Sequence, residues 1–260
     1  MMPEVLSLAG LSVAVTRPLG QGDALVQRLQ SAGAQAVSIP LLAIAPLTDE
    51  AAKQRVADCL QQLARVDVAI FVSRNAAEQL LAALAAHGIA WPEHIASIAV
   101  GSPTAQFLRE HGIAAISPAR MDSEGMLAMP ALQTAQGKHC VIFRGCGGRE
   151  KTAQTLRERG ASVDYCELYQ RVLPDGAAAA WAAWINEDTA QKLACINSVE
   201  TLQHLLQIDH HAAARANLAL VVPGTRVTER AQHEGFAQLC TAVNATDDCI
   251  FQTITHWYSL

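Results

Sequence analysis

The chain alternates short apolar runs with segments in which apolar residues recur at helical spacing. Runs such as VAIFVS (68–73) and ALVVP (219–223) are almost entirely apolar, which is typical of parallel strands covered by helices on both faces. Leu25 and Leu29 share one face of the helix expected after the first strand, and Asp23 is in position to cap that helix. The alternation predicts an α/β fold with parallel sheets flanked by helices.

Three blocks of sequence occur twice, in the same order. The pairs are VAVTRPLGQGDALVQRLQSAGAQAVSIP (13–40) with VIFRGCGGREKTAQTLRERGASVDYCEL (141–168), FVSRNAAEQLL (71–81) with INSVETLQHLL (196–206), and VGSPTAQFLREHGI (100–113) with VPGTRVTERAQHEGF (222–236). In both copies of the first block, a glycine follows the strand-end arginine by sixteen residues. The conserved order and spacing predict an internal duplication and therefore two similar domains.

Short polar residues, arginines and glycines stand directly after the predicted strands in both copies. They are Arg17, Ser73, Gly101, Arg144, Ser198 and Gly224. The carboxyl ends of parallel strands are where open α/β sheets bind ligands. Ser73, Ser198 and Thr104 are expected to cap the helices that follow, and a helix N-terminus can also receive an anion. Two such sheet edges facing each other predict a cleft between the domains.

The most distinctive turn is RGCGGRE, which joins an apolar strand to a helix. It is not a nucleotide-binding loop, because it lacks the Gly-Lys-Ser/Thr of a P-loop and has Glu150 where the dinucleotide fingerprint requires a third glycine. The N–H groups around Gly147 and Gly148, flanked by Arg144 and Arg149, suit carboxylates, which arginine binds in a two-pronged geometry. The alternative left open is that each arginine pairs with a neighbouring glutamate.

Composition narrows the class of protein. Of the 260 residues, 51% are hydrophobic and 17% charged, with a net charge of −5, so a sizeable core is expected and a nucleic-acid partner is not. Seven cysteines without a CxxC motif and nine histidines without ligand spacing predict no metal site. No apolar run approaches the roughly 20 residues of a membrane helix, and no basic leader precedes the first strand, so we expect a cytoplasmic protein without a membrane partner.

The repeated blocks and the segment CELYQR resemble the uroporphyrinogen-III synthase family, in the family's order and from about residue 12 to the C-terminus. The resemblance implies a lyase (a cyclising hydro-lyase) of tetrapyrrole, or porphyrin and haem, biosynthesis that uses no cofactor. It implies that hydroxymethylbilane is cyclised to uroporphyrinogen III, with loss of water and inversion of ring D through a spiro intermediate. That substrate carries eight carboxylates and is reactive by itself, so catalysis would consist chiefly of positioning it.

The resemblance, together with the repeat, also implies how the chain is divided. Residues 1–37 and 175–260 would form one discontinuous α/β domain, and residues 47–165 a second, continuous one. Residues 38–46 and 166–174 would be linker strands that form a two-stranded ladder between them. We expect a monomer that receives its small-molecule substrate from hydroxymethylbilane synthase.

The strand-end pattern and the resemblance together select the candidate site. Tyr169 is the expected catalytic group, since a neutral phenol, with a reference pKa of about 10, can donate a hydrogen bond to a departing hydroxyl without adding charge. The expected substrate-binding residues are Arg17, Ser73, Asn75, Gly101, Thr104, Arg144, Gly147, Gly148, Arg149, Ser198, Gly224 and Thr225. Two alternatives stay open. Tyr169 packs a hinge with its oxygen hydrogen-bonded, or the chain is a non-catalytic two-lobed binding protein for a small polyanionic ligand.

Overall fold

The structure is a computed structural model that describes residues 7–120, 123–148, 150–188, 191–209, 215 and 217–259. Its strands are β1 (Leu11–Val15), β2 (Gln35–Ser38), β3 (Ala43–Ala45), β4 (Val68–Phe71), β5 (Ala96–Ala99), β6 (Ala115–Ile116), β7 (His139–Gly145), β8 (Ser162–Val172), β9 (Gln191–Cys195), β10 (Ala219–Pro223) and β11 (Gln238–Ala242). Its helices are α1 (Asp23–Ser31), α2 (Glu50–Gln61), α3 (Arg74–His87), α4 (Ser102–Glu110), α5 (Ser123–Leu127), α6 (Pro130–Gln133), α7 (Lys151–Glu158), α8 (Ala177–Ile185), α9 (Val199–Ile208), α10 (Gly224–His233) and α11 (Asp247–Tyr258).

The chain forms two compact units. The first consists of Met1–Ala43 together with Val172–Leu260, and the second is Ile44–Arg171. The first unit contains a five-stranded sheet in the order β11-β10-β9-β1-β2, and the other sheet has six strands in the order β3-β8-β7-β4-β5-β6. β1 pairs in parallel with β2 and β9, and β7 pairs in parallel with β4 and β8. The prediction of parallel sheets flanked by helices is confirmed.

The central strands of each sheet are buried on both faces, which explains why they are almost entirely apolar. In β4, Val68 and Ile70 belong to the core on one face, whereas Ala69 and Phe71 belong to the core on the other. β10 divides its side chains between two cores in the same way. Alternate side chains of a strand point to opposite faces, so a strand covered on both faces requires an unbroken apolar run.

Two tryptophans pack in the core on one face of the five-stranded sheet. Trp181 and Trp184 of α8 are 1% and 2% exposed, and the Trp184 indole Nε1 donates a hydrogen bond of 2.8 Å to Ser12 Oγ.

Among the residues that the structure describes, every helix is too short or too polar to span a bilayer.

Two of the predicted helix caps are confirmed. Ser73 Oγ accepts the Ala76 N–H of α3 at 3.1 Å, and Ser198 Oγ accepts the Thr201 N–H of α9 at 3.0 Å. Both serines have extended backbone, with φ and ψ of −162° and 162° at Ser73 and −159° and 163° at Ser198. Each hydroxyl therefore satisfies one of the first backbone donors of its helix, which has no carbonyl partner within the helix.

Two other capping predictions are wrong. Gly22, not Asp23, is the cap of α1, and Asp23 lies in the first turn, where a carboxylate is favourable beside the helix N-terminus. A Cβ at Gly22 would lie 2.8 Å from Val15 Cγ1, so a side chain there would collide with the strand. In α4 the cap is Gly101, because a proline in the first turn fixes the start of the helix; Thr104 lies inside the helix and is 5% exposed.

We expect Ser198→Ala to lower the free energy of unfolding by about 1 kcal/mol, the usual effect of losing a serine cap, because the Thr201 N–H loses its acceptor. Urea denaturation measures the change. Ser31→Ala is the control, since Ser31 is exposed at the last turn of α1 and an exposed substitution of this kind stays within about 0.5 kcal/mol. Equal losses in the two variants would contradict the capping role.

Candidate active site

The side chain of Tyr169, in β8, contacts residues at the ends of two other strands of the six-stranded sheet, Gly145 of β7 and Ser73 after β4. The pairing of β7 with β8 shifts by one residue, so that Arg144 faces Glu167 and Gly145 faces Tyr169. Bulges of this kind re-aim side chains and occur often beside active sites. Here the Tyr169 side chain is 1% exposed, and its hydroxyl lies 3.2 Å from Oγ of Ser73, the cap of α3.

Gly145 lies against the Tyr169 ring so closely that no side chain fits between them. A Cβ on Gly145 would lie 2.4 Å from Tyr169 Cε2 and 2.7 Å from Cζ. The backbone reinforces this contact, because the Cys146 N–H donates to the Tyr169 carbonyl at 2.7 Å. The end of β7 and the Tyr169 ring are therefore positioned together.

Arg144 is held by carboxylates of its own chain. It is 8% exposed; its Nε and Nη2 donate to Glu167 Oε1 at 3.2 and 3.0 Å, and its Nη1 donates to Glu150 Oε1 at 3.0 Å. Its guanidinium carbon lies 3.5 Å from the centroid of the Tyr165 ring, a stacking contact that favours a cation. All three guanidinium nitrogens are thus engaged within the unit.

The protonation states around Arg144 follow from these contacts. Burial alone would lower the pKa of Arg144, but hydrogen bonds to Glu150 and Glu167 raise that pKa above its ordinary value. Hydrogen bonds from Tyr165 and then Arg144 lower the pKa of Glu150, and burial followed by the bond to Glu150 raises the pKa of Tyr165. At neutral pH, Arg144 is a cation, Glu150 an anion and Tyr165 neutral.

The glycine turn after β7 also binds a carboxylate of the chain itself. The Gly147 N–H donates to Glu167 Oε1 at 3.0 Å. Gly147 and Gly148 have φ of +70° and +115°, the left-handed region that favours glycine. Arg149, the second predicted arginine of this turn, lies outside the described residues.

Cys146, in the same turn, is not prepared for nucleophilic attack. Burial, and then the negative charge of Glu167, raise the pKa of the Cys146 thiol. A raised pKa lowers the thiolate fraction at neutral pH, and the thiolate is the reactive form of cysteine. The turn therefore offers hydrogen-bond donors rather than a nucleophile.

The remaining predicted residues of this unit lie at the starts of neighbouring helices. Asn75 is half-buried in the first turn of α3, Gly101 is half-buried after β5, and Thr104 is buried in α4. β5 is the neighbour of β4 in the sheet, so Gly101 and Ser73 follow adjacent strand ends.

The five-stranded sheet has its own set of predicted residues. Arg17, after β1, forms an ion pair with Asp247 and donates from Nη2 to the Ala245 carbonyl at 2.6 Å. Ser198 follows the adjacent strand β9 as the cap of α9. Gly224 and Thr225 open α10 after β10, with Gly224 at φ +68°. Both described strand-end arginines therefore pair with acidic residues of their own unit.

Sequence reasoning missed the acidic and aromatic partners of Arg144, which are Glu150, Tyr165 and Glu167. One signal was available: alignment of the first repeated block makes β7 and β8 adjacent parallel strands, and adjacency places Arg144 near Glu167. The alternative in which Arg144 pairs with a glutamate is what the structure shows, although the arginine is buried and only its glutamate partners reach the surface.

Comparison with known proteins gives the family. The family model described as uroporphyrinogen-III synthase HemD matches residues 23–252. The uroporphyrinogen-III synthase of Salmonella typhimurium is 32% identical over 253 residues, covering 94% of this chain and 100% of the relative. That of Escherichia coli is 32% identical over 251 residues with coverage of 94% and 100%. The chain belongs to the uroporphyrinogen-III synthase family. The resemblance seen in the sequence is confirmed.

Solved synthase structures share the fold. A mutant uroporphyrinogen III synthase from Thermus thermophilus superposes with a TM-score of 0.64 at 17% identity, covering 96% of this chain and 99% of the other. The Helicobacter pylori enzyme gives a TM-score of 0.64 at 12% identity, covering 94% and 98%. The parallel sheets flanked by helices are therefore the architecture of uroporphyrinogen-III synthases.

Proposed function

We propose that the protein cyclises hydroxymethylbilane to uroporphyrinogen III, losing water and inverting ring D. The observation that carries this proposal is the match to named uroporphyrinogen-III synthases over 94% of the chain. A non-catalytic binding protein for a small polyanion is not favoured by these relatives. The proposed reaction is that of a cyclising lyase in tetrapyrrole biosynthesis.

Substrate carboxylates are bound, in this proposal, by helix N-termini and turns at the carboxyl edge of each sheet. The proposed binding residues are Arg17, Ser73, Asn75, Gly101, Thr104, Arg144, Gly147, Gly148, Arg149, Ser198, Gly224 and Thr225. The support is geometric, because Ser73 and Ser198 cap helices that begin directly after strands β4 and β9, and a helix N-terminus favours an anion. A carboxylate that reached Arg17 or Arg144 would compete with Asp247 or with Glu150 and Glu167, so backbone N–H groups contribute most of the binding.

Tyr169 is proposed to assist the departure of the hydroxyl. Its phenol exchanges the bond with Ser73 Oγ, which measures 3.2 Å, for a bond to the leaving hydroxyl, and it transfers its proton to that hydroxyl, which leaves as water. Loss of water leaves a cationic azafulvene on the substrate. The phenol is neutral before this step, and the phenolate that remains lies beside the cation and regains a proton when ring closure releases one from the substrate. Burial keeps solvent from competing for the bond.

The duplication, the linker and the biological setting belong to the same proposal. The repeated blocks supply strands to matching places, in the order β11-β10-β9-β1-β2 and in the order β6-β5-β4-β7-β8, which supports a duplicated unit. β3 lies beside β8, which supports a ladder of two linker strands, 38–46 and 166–174. In this proposal the linker strands join a discontinuous domain (1–37 and 175–260) to a continuous one (47–165). The protein is proposed to act as a cytoplasmic monomer on substrate received from hydroxymethylbilane synthase.

Product analysis tests the function. The purified protein, given hydroxymethylbilane, is expected to produce mainly the type III isomer, whereas heat-denatured protein leaves only type I from unassisted closure. Isomers are separated by chromatography after oxidation to the porphyrins. Stoichiometric binding of hydroxymethylbilane with type I as the sole product would instead identify a binding protein.

A further inference from the structure

One oxygen of Glu167 receives three N–H donors from the end of β7. They are Arg144 Nε at 3.2 Å, Arg144 Nη2 at 3.0 Å and the Gly147 backbone N–H at 3.0 Å. This is how a bound ligand carboxylate would be held by the turn. Charge-assisted bonds of this kind are roughly twice as strong as neutral ones, so Glu167 occupies the turn as an internal carboxylate.

Such an anchor is useful to the turn because the turn contains two glycines, whose backbone has little intrinsic conformational preference. Gly147 and Gly148 both have positive φ, and a Cβ at either would meet nothing within 4 Å, so no atom packs closely where a side chain would begin. Glycine has more backbone freedom to lose on ordering than any other residue. The bond from Gly147 to Glu167 and the bond from Cys146 to the Tyr169 carbonyl restrain the turn.

The position of the turn determines the position of the Tyr169 ring. Glu167 and Tyr169 flank the bulge in β8, and they face Arg144 and Gly145 respectively. Because the Gly145 backbone lies directly against the ring, a shift of this turn displaces the ring and with it the hydroxyl bonded to Ser73.

We propose that Glu167 is a positioning residue: its carboxylate anchors the turn from Gly145 to Gly148 and thereby holds the Tyr169 hydroxyl at the cap of α3. The catalytic part of this inference rests on the proposed function, whereas the anchoring part does not. The charge is essential to the role, because Arg144 is buried and a neutral acceptor would leave that cation with Glu150 as its remaining carboxylate partner among the contacts described.

The test is Glu167→Gln in the full chain, which keeps the shape and removes the charge. Glu158→Gln is the matched control, because Glu158 is exposed on α7 in the same unit and accepts a bond from Gln154. Hydrogen exchange of the Gly147 amide, followed by NMR, reports the anchor without any substrate. We expect that exchange to be about 10-fold faster in Glu167→Gln, the effect of weakening one charged hydrogen bond, and unchanged in the control.

Steady-state kinetics and product isomers report the positioning. We expect kcat to fall about 10-fold with a larger type I fraction, while KM changes less than about threefold, since orientation is lost rather than binding. Unchanged Gly147 exchange overturns the anchor, and faster exchange with wild-type kcat and isomer ratio overturns the positioning role. A lower KM at wild-type kcat also overturns it, because Glu167 would then compete with substrate. Wild-type protein without type III product would refute the proposed function, and the exchange rates would still decide the anchor.

Discussion

Gly145→Ala is expected to displace the Tyr169 ring and to lower both stability and turnover. A Cβ at this position would lie 2.4 Å from Tyr169 Cε2 and 2.9 Å from Cδ2, distances at which the ring or strand β7 must move. Forcing an atom into a packed core costs about 1–3 kcal/mol. A displacement of about 1 Å at a catalytic group lowers turnover on the order of 100-fold. Urea unfolding and the isomer assay measure the two effects.

The Tyr169→Ala background separates this collision from other effects of the added methyl group. Without the ring, the Cβ of Gly145→Ala has room, so the second substitution should lower stability by less than about 0.5 kcal/mol. Tyr169→Ala alone is itself destabilising, and the comparison is therefore the difference between the single and the double variant. A loss as large with the ring absent as with it present would show that the contact with Tyr169 is not the cause.

Tyr169→Phe is expected to lower turnover about 10–100-fold and to increase the type I fraction. The ring and its packing against Gly145 are retained, and only the hydroxyl 3.2 Å from Ser73 Oγ is lost. The expected loss lies at or below the general-acid range of 10²–10⁴, because the substrate is reactive by itself. Unassisted closure then competes better with ring inversion, which raises the type I product.

Tyr258→Phe is the matched control for the loss of a phenolic hydroxyl. Tyr258 lies in α11 of the other unit, and its hydroxyl donates to the Ala9 carbonyl at 2.7 Å, so its removal should leave rate and isomer ratio unchanged. If Tyr169→Phe also has the wild-type rate and isomer ratio, Tyr169 is a packing residue, as its burial with a bonded oxygen alone would indicate.

Local sequence rules predicted those parts of the fold that local chemistry determines. The caps Ser73 and Ser198 and the doubly buried strands followed from side-chain chemistry and from unbroken apolar runs. Asp23 and Thr104 were misassigned as caps because a close approach of Gly22 to Val15, and a proline after Ser102, determine where those helices start. The contact of Gly22 with Val15 is a tertiary contact, and local helix propensities carry no information about it.

The candidate site could be located from the sequence, but its electrostatics could not. Residues at the strand ends were identified because parallel strands bring their carboxyl ends to one edge. The partners of Arg144 are 6 and 23 residues away, and both are acceptable as surface glutamates when taken singly. Only the pairing of β7 with β8 and the bulge after Arg144 place them against a buried guanidinium.

The position of β1 inside the five-stranded sheet affects how the chain can fold during synthesis. Thr16, at the end of β1, donates to the carbonyl of Cys195 in β9, a partner 179 residues later. At about 5–20 residues per second, roughly 10–40 seconds separate the synthesis of these partners. All of Ile44–Arg171 is translated in that interval. The apolar strand Leu11–Val15 lacks its neighbour β9 during that interval, so we expect the nascent N-terminal segment to present an unpaired strand edge that is open to aggregation until β9 is made.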